Sequence, residues 1–208
     1  MNRLVPVWLV AAPLALLVAG CGEQSHPRLA PLAPDARILA FGDSLTFGYG
    51  AKANESYPAQ LGRLLHRSVV GSGVPGETSE QGLARLPREL DRAAPDLVLL
   101  CLGGNDFLRG HDDAHTEANL ARMIELARER GVAVVLVGVP RPNLLSSLRG
   151  AEIYTRLAQR YGVPLENAVI AAVLSNRDLL HDRIHPNARG YERIAQAVAD
   201  LLHAAGAV

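Results

Sequence analysis

The sequence predicts a three-layer α/β/α sandwich on a mostly parallel sheet of about five strands, and three observations carry that expectation. From residue 35 onward, short β-prone apolar runs alternate with longer amphipathic stretches. Such alternation packs as a parallel sheet covered on both faces, with right-handed crossovers. The runs over 96–102 and 133–139 are continuously apolar rather than alternating, which suits strands buried on both faces. The chain has 208 residues, 49% of them hydrophobic, enough to bury one full core.

Residues 1–20 stand outside this pattern. Met1-Asn2-Arg3 leads into an almost wholly apolar 4–17 and then Val18-Ala19-Gly20-Cys21. A basic start, an apolar stretch and a small-residue cleavage site describe a secretory signal. The stretch is interrupted by Pro6 and Pro13 and falls short of the roughly 20 apolar residues a membrane helix needs. The last four residues resemble a bacterial lipobox. That resemblance implies a mature chain beginning at a lipidated Cys21, held by the lipid to a membrane of the bacterial cell envelope and facing the periplasm or exterior. Cys101 is then left alone and no disulfide forms. Residues 21–34, with three prolines, read as a tether to a domain over 35–208.

Within the domain the first strand is expected over 37–41, stopped by Gly42, and a short second one over 68–70, running into the glycine-rich 71–76. The third, 96–102, is closed by Gly103-Gly104. The fourth, 133–139, is stopped by Pro140, and 163–169 holds a weaker fifth. Helices are expected over 57–67, 78–93, 114–130, 147–161 and 187–205. In the third of these, Leu120, Met123, Ile124 and Ala127 recur at helical spacing while Arg122, Glu125, Arg128 and Glu129 fall elsewhere. Thr78 with Gln81 forms a capping box for the second helix, and Gly131 and Gly162 stand where C-terminal caps belong.

The charge balance narrows the function. Twenty-one basic residues face 21 acidic ones and the pI is near 7.1, which excludes a nucleic-acid binder working through a basic surface. Aromatic residues at 4% leave no stacking platform for single strands.

In open parallel sheets, ligand sites form at the carboxyl ends of the strands. Gly42-Asp43-Ser44-Leu45-Thr46 follows the first strand, Gly73-Val74-Pro75-Gly76-Glu77-Thr78 the second, and Gly103-Gly104-Asn105-Asp106 the third. Asp182-Arg183-Ile184-His185-Pro186-Asn187 precedes the last helix. Together they supply a hydroxyl nucleophile, an imidazole base, an orienting carboxylate and hydrogen-bond donors, the components of acyl transfer. A serine hydroxyl is a weak nucleophile and needs a base beside it. Asp182, three residues before His185, can hold one ring nitrogen and leave the other for Ser44. Pro186 disfavours helical geometry at His185 and bends the chain there. Ser44 also suits the cap of a helix starting at Leu45, and Asp43 and Asp106 read as loop organisers. No Gly-x-Ser-x-Gly elbow occurs, which disfavours the α/β-hydrolase fold.

These four blocks, in this order, resemble the SGNH/GDSL hydrolase superfamily over roughly 37–202, and within it the bacterial arylesterase and thioesterase I/lysophospholipase type. Residues 76–87 are similar to that branch, although Gly71 stands where the branch often places Asn. The resemblance implies the flavodoxin-like SGNH form of the sandwich, with Ser44 as nucleophile, His185 as base and Asp182 as its carboxylate. It implies an oxyanion hole from the Ser44 and Gly76 backbone N–H groups and the Asn105 amide. The implied enzyme is a monomer that needs no cofactor. It hydrolyses small-molecule carboxylic esters of lipid-like or aryl type, with thioesters and lysophospholipids in range. A carbohydrate O-acetyl esterase and a non-catalytic acyl-binding lipoprotein are the alternatives. Two His-x-x-x-His pairs, His111 with His115 and His181 with His185, have the spacing of a zinc-binding helix face. Gly110 precedes the first, Pro186 ends the second and neither has the accompanying Glu, so no metal is expected.

Overall fold

The computed structural model describes residues 27–142 and 150–208. The expected signal sequence, Cys21 and the start of the helix expected from residue 147 lie outside the described residues. Five strands, β1 (Arg37–Gly42), β2 (Ser68–Gly73), β3 (Leu97–Cys101), β4 (Ala133–Val137) and β5 (Leu165–Glu166), form one sheet. Their order is β2-β1-β3-β4-β5 and every pairing is parallel. The chain steps one way from β1 to β2 and the other way from β2 to β3. Right-handed crossovers therefore send the β1–β2 connection to one face and the later connections to the other.

Eight helices are described: α1 (Ser44–Phe47), α2 (Tyr57–Leu65), α3 (Ser79–Ala93), α4 (Gly104–Leu108), α5 (Asp113–Glu129), α6 (Glu152–Tyr161), α7 (Val169–Leu174) and α8 (Ala188–Ala204). α2 and α7 pack with α8, while α3 packs with α5 and α5 with α6, giving the two outer layers. Between them Leu39, Phe41, Leu99 and Val135 are wholly buried. The Thr78 hydroxyl accepts from Gln81 N–H while the Gln81 side chain accepts from Thr78 N–H, closing the capping box at the start of α3.

Several elements differ from the sequence expectation. β2 continues through Gly71-Ser72-Gly73, pairing with Ala40 to Gly42. The glycine at 73 is required there, because a Cβ would stand 2.1 Å from the Phe47 nitrogen and 2.6 Å from the Asp43 carbonyl oxygen. The expected fifth strand shrinks to two residues, and α7 takes up the apolar run that follows. Short apolar runs do not distinguish strand from buried helix. The described part of 21–34 is docked rather than free. Leu29 N–H donates to the Ala205 carbonyl and Leu32 N–H to that of Ala207, each at 2.9 Å, and both leucines pack on the core. Cys101 is buried and unpaired.

Candidate active site

The sheet reverses its strand order at β1, whose carboxyl end lies between those of β2 and β3. This is the switch point where open α/β sheets leave a crevice. The chain leaves β1 through Asp43, whose Oδ1 accepts the Leu45 N–H at 3.0 Å. Asp43, not Ser44, is therefore the N-cap, and Ser44 becomes the first residue of α1. A carboxylate reaches the second N–H of the turn from the cap position, which leaves the serine hydroxyl unoccupied by capping.

That hydroxyl lies 3.0 Å from His185 Nε2, and His185 Nδ1 lies 2.8 Å from Asp182 Oδ2. The carboxylate only accepts, so the imidazole carries its proton on Nδ1 and Nε2 accepts from the Ser44 hydroxyl. The loop carrying the pair is held by itself. Asp182 Oδ1 accepts the N–H groups of Ile184 and His185, each at 2.9 Å, and Leu180 bridges Pro186 in antiparallel fashion. Burial pushes the Asp182 carboxyl up. The Ile184 N–H, the His185 ring and the His185 N–H outweigh that and hold it below its ordinary value. The ring of Tyr49 lies 4.5 Å from that of His185, and the Tyr49 carbonyl is held by the Tyr191 hydroxyl at 2.8 Å.

Opposite, α4 and the Arg109 that follows it fasten the 76–79 segment with three side chains. Asn105 Nδ2 donates to the Glu77 carbonyl at 3.0 Å and to Asp43 Oδ2 at 3.2 Å. Arg109 donates to the Gly76 carbonyl at 2.9 Å. Asp106, fully buried, accepts from Ser79 N–H at 2.8 Å and the Ser79 hydroxyl at 2.6 Å. Gly76 holds a φ of +79°, open to glycine at little cost. Among the described residues, no acceptor is paired with the N–H of Ser44 or of Gly76. Beneath this loop the Arg85 guanidinium meets both oxygens of Glu77, at 2.7 and 2.6 Å. It also donates to the Ser72 hydroxyl and lies over the Phe41 ring.

The structure thus joins Ser44, His185 and Asp182 in one hydrogen-bonded line and brings Gly76 and Asn105 together on its other side. Arg85, Arg109 and Tyr49 were not visible as site residues in the sequence, since each acts through contacts with distant segments and sits in no local pattern. The second histidine pair is divided between two tasks, with His185 on Ser44 and His181 edge-on to Tyr49. Among the described residues, no cluster of three or more His, Cys, Asp or Glu side chains is placed to hold a metal. The groove before Ser44 is walled by Leu45, Leu108, Val139, Pro140, Leu174 and Ile184.

A serine, an imidazole and a carboxylate aligned at the switch point of a parallel sheet, facing a cluster of amide donors, define a serine acyl hydrolase of flavodoxin-like form. The chain belongs to the GDSL-like lipase/acylhydrolase family, whose model matches residues 40–193. It is 34% identical over 175 residues to an arylesterase of Vibrio mimicus, covering 80% of this chain and 88% of that one. It is 34% identical over 171 residues to thioesterase 1/protease 1/lysophospholipase L1 of Escherichia coli, covering 79% and 82%. Among solved structures, TesA superimposes with a TM-score of 0.74 at 30% identity, covering 81% of this chain and 99% of that chain. AlinE4, an SGNH-hydrolase family esterase, does so at 0.65 and 35%, covering 83% and 97%. The chain is an SGNH-type serine ester hydrolase.

Proposed function

We propose that Ser44, His185 and Asp182 work as one acyl-transfer unit on esters with apolar acyl or aryl groups. The observation that carries this is the unbroken line from Ser44 Oγ through the imidazole to Asp182. Ser44 Oγ attacks the ester carbonyl carbon as its proton passes to His185 Nε2, and the imidazolium so formed faces the Asp182 carboxylate. Negative charge gathers on the former carbonyl oxygen, within reach of the Ser44 and Gly76 N–H groups and the Asn105 amide. Both Asn105 amide hydrogens have protein acceptors at rest, so the oxyanion shares one of them. The carbon–oxygen bond then breaks, with His185 returning the proton to the departing alcohol. Water repeats the sequence on the acyl-serine, releasing the acid and restoring Ser44.

The apolar wall of the groove supports lipid-like or aryl esters as substrates, in keeping with the arylesterase and lysophospholipase names of the relatives. A panel of p-nitrophenyl esters of rising chain length, beside a lysophospholipid and an acetylated sugar, tests the reading. Turnover of the apolar esters that vanishes in Ser44→Ala is expected. Turnover of the acetylated sugar alone, or full activity in Ser44→Ala, would overturn it.

We also propose that the mature protein is a lipid-anchored envelope protein carried by Cys21. The described chain starts beside the C-terminal end of α8, about 25 Å along that helix from the loop bearing His185. An anchor leaving from there keeps the groove clear of the membrane that holds it. Mass spectrometry of the mature N-terminus should find a diacylglyceryl-modified Cys21, and an unmodified cysteine or a retained Met1 would refute this.

A further inference from the structure

Acyl transfer as written above leaves Asp43 unused, yet its side chain sits at the centre of the site with only 2% of the residue exposed. One oxygen accepts the Leu45 N–H, one residue beyond the Ser44 N–H, and the other accepts from the Asn105 amide. The charged groups that bear on it are the carboxylates of Glu77 and Asp106, both of its own sign. Among the described residues, no Lys, Arg or His is paired with it. Burial, with a contribution from those two carboxylates, pushes its carboxyl up to about 7. Capping a four-residue helix does not call for this, since Ser or Asn caps as well as Asp without burying a charge.

What an ionised carboxylate does that those residues cannot, and what Asp43 does above about pH 7, is accept in two directions while donating in none. Asn105 Nδ2 lies between Asp43 Oδ2 and the Glu77 carbonyl. Turning the amide over would set its own oxygen against two acceptors. An Asn at position 43 offers a donor and a Ser withdraws the acceptor, and either removes one of those two repulsions. The inverted amide would then bring an oxygen, not an N–H, to the place where negative charge develops.

We propose that Asp43 is a positioning residue of the oxyanion hole, an acceptor-only carboxylate that fixes the orientation of the Asn105 amide and ties it to the helix bearing the nucleophile. This rests on the assignment of Ser44 and Asn105 above. The test uses the full chain with Asp43→Asn and with Asp43→Ser, each alone and combined with Asn105→Ala, assayed on p-nitrophenyl butyrate at about pH 8.5, where the parent Asp43 is ionised. Asp43→Asn should lower kcat by about tenfold or more with KM within about twofold, and its Tm at alkaline pH should match or exceed that of the parent. In the Asn105→Ala background the same substitution should change kcat by less than about twofold, because the group it orients is gone. Asp43→Ser keeps the cap but cannot reach Asn105, and should show the same pattern.

Unchanged kcat in folded Asp43 variants, or losses that multiply with that of Asn105→Ala, would overturn the proposal. So would failure of both variants to fold, which would make Asp43 structural. An active Ser44→Ala would instead bring down the acyl-transfer assignment, whereas an inactive Ser44→Ala beside normal Asp43 variants would remove only this proposal.

Discussion

Replacing Asp43 with Asn should make the protein more stable at alkaline pH, and the size of the effect follows from the burial of that carboxyl. Its pKa rises from 3.8 to about 7 in the fold, chiefly through desolvation. Between those values the folded protein keeps a proton that the unfolded chain has lost, so stability falls as pH rises and the loss is complete above about pH 7. At about 1.36 kcal/mol per pH unit, the ceiling is on the order of 4 kcal/mol. The amide introduced by Asp43→Asn cannot ionise and still accepts from Leu45, but it gives up a bond to Asn105 worth about 1–2 kcal/mol. The net gain is about 2–3 kcal/mol, or a Tm higher by roughly 4–12 °C in a domain of this size. Four buried neighbours do not blur the window. The Tyr57, Tyr154 and Tyr191 phenols and the Cys101 thiol are all pushed upward by burial and stay neutral through it. Glu77 is paired with Arg85, and Asp106 is hydrogen-bonded to Ser79. Thermal melts followed by circular dichroism from about pH 4 to pH 8 give the difference curve directly, with other carboxyls cancelling between the two proteins. The advantage of Asp43→Asn should appear only as pH climbs through this range. A difference independent of pH, or a variant less stable at alkaline pH, would refute the reasoning.

Three further outcomes follow from the geometry. Asn105→Ala should lower kcat by about 10²–10³-fold with little change in KM, measured by steady-state kinetics on two or more esters. Arg85→Met leaves Glu77, 5% exposed, without its cation, and should cost about 3–5 kcal/mol in urea melts. Leu108 and Ile184 are 50% and 43% exposed at the groove. Replacing both with Ser should reduce kcat/KM for octanoyl esters by about tenfold while leaving acetyl esters within about twofold, since each buried methylene is worth about 0.8 kcal/mol.

The architecture was legible where burial writes itself into composition. β3 and β4 are the two continuous apolar runs, and α3 starts at the Thr78/Gln81 pair that the spacing marks. The three motifs at the strand ends and the one before α8 were readable for the same reason, because each carries turn residues next to a strand or helix whose pattern is easy to find. Elements too short to complete a periodic pattern were not. α1, α4 and α7 have four, five and six residues, and β5 has two. Side-chain pairing across the fold was also hidden. Asn105 meets Asp43 across 62 positions and Glu77 across 28, and no local spacing foretells either. Asp43 shows the difference most clearly. Its type and place suggest a loop organiser, but its burial beside two other carboxylates exists only once β1, α3 and α4 have come together.

Three buried carboxylates stand behind the oxyanion side of the site, and they differ in how their charge is met. Glu77 has the Arg85 guanidinium on both oxygens. Asp106 accepts an N–H and a hydroxyl from Ser79, with the Thr116 hydroxyl at 3.4 Å and His111 Nδ1 at 3.7 Å. Asp43 has one backbone N–H and one amide, and it is the one adjacent to Ser44. If burial alone governed the outcome, removing the charge from either aspartate would stabilise the fold. The donor arrangement says otherwise. In Asp106→Asn the new NH2 must face either the Ser79 N–H or the Ser79 hydroxyl, both of which donate to the carboxylate now. One buried donor then loses its acceptor, at about 1–3 kcal/mol, and the start of α3 loosens with the Gly76 turn just before it. Asp106→Asn should therefore lower Tm at every pH from about 5 to 8, the opposite of Asp43→Asn over its upper half. Stabilisation of both variants alike would mean that desolvation, and not the pattern of donors, sets the cost of charge at this site.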